Sequence, residues 1–97
     1  MNRARIVVAR GPIEWVMRKI GLAGLAMPWR TVYLLTEFSA KADLIAHEMV
    51  HIEQMEREGR VRFCILYLWW LYRRGYWDNP FEIEAYERAP VDWLGVE

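Results

Sequence analysis

Glycine and proline punctuation limits the fold of this chain more than any other feature. Gly59, Gly75, Asn79-Pro80 and Ala89-Pro90 cut everything after Ser39 into three pieces of helical length. Ser39 is placed to cap a helix over residues 40–58, which Gly59 would end. A second helix is expected over 61–74, closed by Gly75. Asn79 then caps a third, with Pro80 as its first helical residue, and Ala89-Pro90 ends it. Ahead of Ser39 the segments are shorter. Residues 4–9 are rich in β-branched side chains and suit a strand, and Gly11-Pro12 opens a helix reaching about Ile20. Residues 22–27 form an apolar run stopped by Pro28, and residues 31–35 form a second β-like run. The expected class is α+β, a sheet of about three strands beside helices. There is no internal repeat, linker or low-complexity tract.

A chain of 97 residues is one domain, 1–97, and is short enough that a bound metal would help to hold it. Hydrophobic residues make up 55% and include six tryptophans, which argues for a packed globule and against disorder. Thirteen basic residues balance thirteen acidic ones, so the one-sided charge that a nucleic-acid partner requires is missing. Cys64 is the single cysteine, which excludes an internal disulfide and permits a reducing compartment. Its setting, Phe63-Cys64-Ile65-Leu66, favours an inert thiol over a metal ligand. Arg10, Glu14, Arg18 and Lys19 interrupt any leader-like apolar stretch, and the longest apolar run, 63–72, is about half a bilayer span. The expectation is a cytoplasmic or otherwise soluble protein. Tyr67, Trp69, Trp70, Tyr72, Tyr76 and Trp77 with Arg73 and Arg74 would suit a membrane interface. In so small a domain, however, an aromatic-rich helix is expected to be core, so membrane association is not the favoured reading.

The chemistry lies in His47-Glu48-Met49-Val50-His51, an H-E-x-x-H motif within the first of the three long helices. Four residues advance a helix by about 400°, so both imidazoles leave one face, a turn apart. Two nitrogens so placed can reach one Zn²⁺, while Glu48, about 100° round, can touch a water beside it. Isolated histidines are mostly satisfied core or surface residues. Here the only two in the chain stand four apart around a glutamate, and Leu44, Ile45, Ile52 and Met55 form an apolar arc beside them.

Catalytic zinc needs a third protein ligand and an open position. With no further histidine, a carboxylate must serve, and the segment Asn79-Pro80-Phe81-Glu82-Ile83-Glu84-Ala85-Tyr86 offers two. Glu82 and Glu84 are about 200° apart on a helix, so only one can face the metal. Glu82 also fits a capping box with Asn79, but Ala85 on its face allows close approach to the histidine helix. Glu84 shares its face with Glu87 and Arg88, which suits solvent. Glu82 is favoured and Glu84 is the alternative.

Together these residues resemble the gluzincins, zinc peptidases with H-E-x-x-H on one helix and a ligand glutamate on a later one. Glu82-Ile83-Glu84-Ala85 matches their E-x-x-A/S pattern, whereas Tyr86 stands where an aspartate is usual. The chain is most similar to the minigluzincins, whose helix commonly reads H-E-x-x-H-x-x-Q, as His47 to Gln54 do here. The resemblance covers residues 22–88. It implies a three-stranded sheet packed on an active-site helix, a connecting helix and a glutamate helix. It also implies an extended peptide or protein substrate lying antiparallel to an edge strand, here residues 31–35 or, alternatively, 22–27. A terminal segment that blocks the cleft, residues 89–97, would keep such an enzyme latent. In the mechanism it implies, His47, His51 and Glu82 hold Zn²⁺ and Glu48 takes a proton from water. Tyr86 is the candidate assisting electrophile, with Tyr33 and Arg88 as alternatives. A zinc-stabilised module without turnover is the competing expectation.

Overall fold

The computed structural model describes residues 4–93. Strand β1 (Arg5–Val8) leads to helix α1 (Gly11–Ile20), then to β2 (Gly24–Met27) and β3 (Thr31–Leu34). Three longer helices follow: α2 (Ala42–Glu58), α3 (Arg60–Arg74) and α4 (Pro80–Arg88). The class is α+β, as expected. Pro12 sits in the first turn of α1, and Gly21 ends that helix in the left-handed region at φ 80°. Glu14 and Arg18 pair along α1, and Arg18 reaches on to Glu37, fastening α1 to the turn after β3.

The sheet runs β1-β3-β2, with β1 parallel and β2 antiparallel to β3. This corrects one expectation. Residues 31–35 supply the central strand rather than an edge, because Thr31, Val32 and Leu34 are buried and need ladder partners on both sides. The edge beside α2 is β2, from the alternative run 22–27. Ala23 and Leu35 extend the same register, with the Leu35 N–H donating to the Ala23 carbonyl. Alternation therefore turns the main-chain groups of Gly24 and Ala26 towards the open edge.

The start of α2 also differs from expectation. Thr36–Phe38 form a 3₁₀ turn, and the Ser39 hydroxyl donates to the Thr36 carbonyl, so it is not spent on capping. The helix begins two residues later, with Lys41 at its cap position. By contrast, Asn79 caps α4 as expected, its Oδ1 accepting from the Phe81 N–H.

Val32 and Leu34 of β3 meet Leu44, Ile52 and Met55 of α2, Phe63 of α3 and Phe81 of α4 in the main core. Leu44, Ile52 and Met55 of the expected arc are buried, and Ile45 packs at its margin. The aromatic helix breaks the expectation that it is core. Phe63 is the one buried residue described on α3, and Cys64, Leu66, Tyr67 and Trp70 are partly covered. Its other large side chains face outward. Among the described residues, no helix is long and apolar enough to cross a membrane.

Candidate metal centre

Helix α2 is central because it touches β2, α3 and α4, so whatever it points inward is enclosed on three sides. Along with its apolar residues it points inward His47, Glu48, His51 and Gln54, all buried. Burying such groups is costly unless each finds a partner. Helix α4 supplies several. Ala85, with no exposed surface, packs with Val50 and Ala89 where the two helices meet, and this small contact lets Glu82 reach the histidines. Glu82 Oε1 lies 3.0 Å from His47 Nε2, and Glu82 Oε2 lies 3.1 Å from His51 Nε2. The two imidazoles stand 5.0 Å apart, nearly perpendicular. One ligand atom from each of the three residues fits within 4.8 Å, so the described chain contains a buried His47–His51–Glu82 group that could hold a metal ion.

The outer nitrogens decide what the inner ones can do. Gln54 Nε2 donates to the Phe81 carbonyl and to Glu84 Oε1, which leaves Gln54 Oε1 facing His51 Nδ1 at 2.8 Å. An amide oxygen only accepts, so His51 Nδ1 carries the proton. On His47 the same task falls to the Ala89 carbonyl, 3.3 Å from Nδ1. In both neutral rings Nε2 is then a bare lone pair, and both lone pairs face the Glu82 carboxylate, itself only an acceptor. His51 Nε2 is fully buried and makes no hydrogen bond of its own. Three acceptors turned on one point call for a cation between them. With no metal, a proton answers. Burial opposes a charge on His51, but the Glu82 carboxylate beside it, then Glu48 and Gln54, push its pKa up to about 9. Burial likewise opposes charge on Glu82, yet His47, His51 and Tyr67 hold it down at about 2.

Glu48 follows His47 on the same helix and feels the charges of His51, His47 and Glu82. Burial pushes its carboxyl above the ordinary range, which the two histidines and the Ala26 N–H partly offset. Edge strand β2 lies directly against it: a Cβ on Gly24 would stand 3.1 Å from Glu48 Oε2. Glycine here is a matter of space, letting the strand pass this close.

The remaining sequence candidates fall in different places. The Tyr86 ring packs on His47 with centroids 4.2 Å apart, and its hydroxyl meets the Tyr76 hydroxyl at 3.0 Å and Trp93 Nε1 at 3.3 Å. Glu84, the alternative ligand, instead forms an ion pair with Arg57 at 2.9 Å and meets Arg88 and Gln54. Arg88 is taken up by Glu53 and Glu84, and Tyr33 packs in a separate cluster with Met17 and Leu35. Cys64 lies at the core margin, outside the metal-competent group.

Two contacts were not anticipated. Tyr67, read only as part of the aromatic helix, donates its hydroxyl to Glu82 Oε2, and burial together with that carboxylate raises the pKa of the phenol. Its signal was available, since Tyr67 stands one turn from Phe63 on the inward face of α3. The Ala89 carbonyl is the acceptor that faces His47 Nδ1. A main-chain acceptor leaves no trace in residue types. Set against family models, curated proteins and solved structures, the chain matches none of them.

Proposed function

We propose that this chain is a minimal zinc peptidase that hydrolyses peptide bonds. The reading rests chiefly on the two Nε2 lone pairs fixed against the Glu82 carboxylate, with Glu48 at their side. Two imidazoles and one carboxylate form a donor set typical of catalytic zinc, and Nδ1 hydrogen bonds of this kind orient ligand histidines and raise their basicity. Zinc, when bound, polarises a carbonyl and makes water acidic enough to ionise at about neutral pH. The protein's own residues do the rest. His47, His51 and Glu82 hold the ion, and the Tyr67 hydroxyl steadies one Glu82 oxygen. Glu48 accepts the proton of the attacking water and returns it to the leaving amine. Gly24 and the Ala26 carbonyl on the edge of β2 offer main-chain groups to an extended substrate in antiparallel pairing, the Ala26 N–H being held by Glu48. Tyr86 is the candidate electrophile, its ring braced on His47.

A second reading, in which the metal stabilises the domain without turnover or in a latent state, is favoured by how closed the site is. All three ligand residues are buried. The segment after α4 crosses the start of α2, with Lys41 Nζ donating to the Asp92 carbonyl, the Asp92 N–H donating to Asp43, and Trp93 edge-on to Phe38. The rest of the expected blocking tail lies outside the described residues.

Metal content and peptide-library cleavage separate these readings. One zinc per chain, with cleavage that disappears in Glu48→Gln while zinc stays, is the expected result. Full turnover in Glu48→Gln would remove that residue from the mechanism. Stoichiometric zinc with no cleavage, even in Trp93→Ala, would leave the structural role standing and the peptidase reading overturned.

A further inference from the structure

Helix α3 exposes more large apolar side chains than any other element among the described residues. Val61, Ile65, Leu68, Trp69 and Tyr72 are between 50% and 82% exposed. Their spacing sets them within an arc of about 100° along the helix, opposite the inward stripe of Phe63, Tyr67 and Trp70. A continuous row of exposed side chains of this size, on a domain this small, marks a surface that meets something.

Charge says what kind of thing. Helix α3 carries Arg60, Arg62, Arg73 and Arg74 and no acidic residue, although the chain as a whole is balanced. By helical position, Arg62 and Arg73 flank one side of the stripe, while Arg60 and Arg74 lie further round, beside Tyr67. Arg73 lies over the Trp69 ring and Arg74 over Trp70, at 5.5 and 4.7 Å from the ring centres, so the cationic heads sit beside indoles at one end of the helix. The acidic residues nearest in sequence, Glu58 and Asp78, lie beyond the helix ends, and Glu58 pairs with Arg57 and Arg62.

We propose that α3 is a membrane-surface helix that docks the domain on an anionic lipid bilayer. The stripe would enter the headgroup–acyl boundary while the arginines meet lipid phosphates and carboxylates. The helix lies in the interface plane and does not span it. A second copy of the chain fits the same face poorly, because pairing two α3 helices brings arginine against arginine, and the nearby Glu58 carboxylate is already taken by Arg57 and Arg62. This docking does not depend on the metal reading.

Flotation of the full chain with vesicles tests it, comparing phosphatidylcholine alone with phosphatidylcholine containing phosphatidylserine. The chain is expected to float with the anionic vesicles, to float less as salt rises, and to stay in solution with the neutral ones. Arg60→Gln with Arg73→Gln should weaken partitioning by about thirtyfold. Leu68→Ser with Trp69→Ser should weaken it at least about tenfold. These positions are exposed, and an unchanged far-ultraviolet spectrum with an unchanged urea-unfolding midpoint shows that the variants fold. Three results would overturn the proposal: no binding to anionic vesicles, equal binding to both kinds, or a dimer in sedimentation that the serine variants dissolve. The last would assign the face to a second copy.

Discussion

The inner face of α2 and the outer face of α3 invert the usual rule in opposite directions. On α2 the enclosed positions include two imidazoles, two carboxyl or amide groups and a network reaching Glu82, Tyr67 and Ala89. On α3 the solvent-facing positions include valine, isoleucine, leucine, tryptophan and tyrosine. Each inversion costs stability when left without a partner: the first by desolvating polar atoms, the second by wetting apolar surface. A small domain has little stability to spare for either. The two proposals give each inversion a partner, a cation inside and an anionic bilayer surface outside.

The largest effect should come from the inner partner. Zinc at about a thousandfold above its dissociation constant stabilises a folded-only site by about 4 kcal/mol. For a domain of this size that is a rise of about 15–30 °C in Tm. His51→Ala and Glu82→Ala should each abolish the rise in differential scanning calorimetry, whereas Glu84→Ala should keep it. An equal rise in Glu82→Ala would break the comparison on its inner side.

The two faces of α3 give the next contrast. Phe63→Ala, on the buried face, should cost about 3 kcal/mol in urea unfolding. Leu68→Ser, on the outer face, should change stability by less than about 0.5 kcal/mol. Comparable losses at both positions would mean that the stripe is packed in solution.

Gly24 sharpens the picture where β2 meets the site. A methyl group there lands 3.1 Å from both Glu48 Oε2 and Leu34 Cδ2. Gly24→Ala is expected to lower stability by about 1–3 kcal/mol through overcrowding, and to lower any peptide turnover with it by displacing Glu48. Unchanged stability together with unchanged turnover would show that the strand has room to yield.

The smallest effect is electrostatic and lies at the rim. Arg57, with Gln54 and Arg88, holds the Glu84 carboxyl at about 2, below its ordinary value of 4.5. A carboxyl lowered in the folded state contributes stability that is complete above about pH 4.5 and is lost as pH falls towards 2. In Glu84→Gln that share of the acid loss should vanish, so the Tm–pH curves of variant and parent should converge towards pH 2. Parallel curves would show that the ion pairs are too exposed to matter.

Much of this could be read before any coordinates. Helix ends at Gly59, Gly75 and Asn79-Pro80 depend on backbone freedom and local hydrogen bonds, which neighbouring residues settle among themselves. The shared face of His47 and His51 follows from helical pitch alone, and Ala85 signalled that Glu82, not Glu84, would stand opposite. Other features are decided only by packing. Which strand is central depends on what covers each side of the sheet, so residues 31–35 looked like an edge until β1 was seen to pair with them. The outward turn of α3 depends on how few of its aromatics the small core can take, and composition does not record that. The partner of His47 Nδ1 is a main-chain carbonyl, which every residue carries, so only the path of the chain after α4 could bring Ala89 to it.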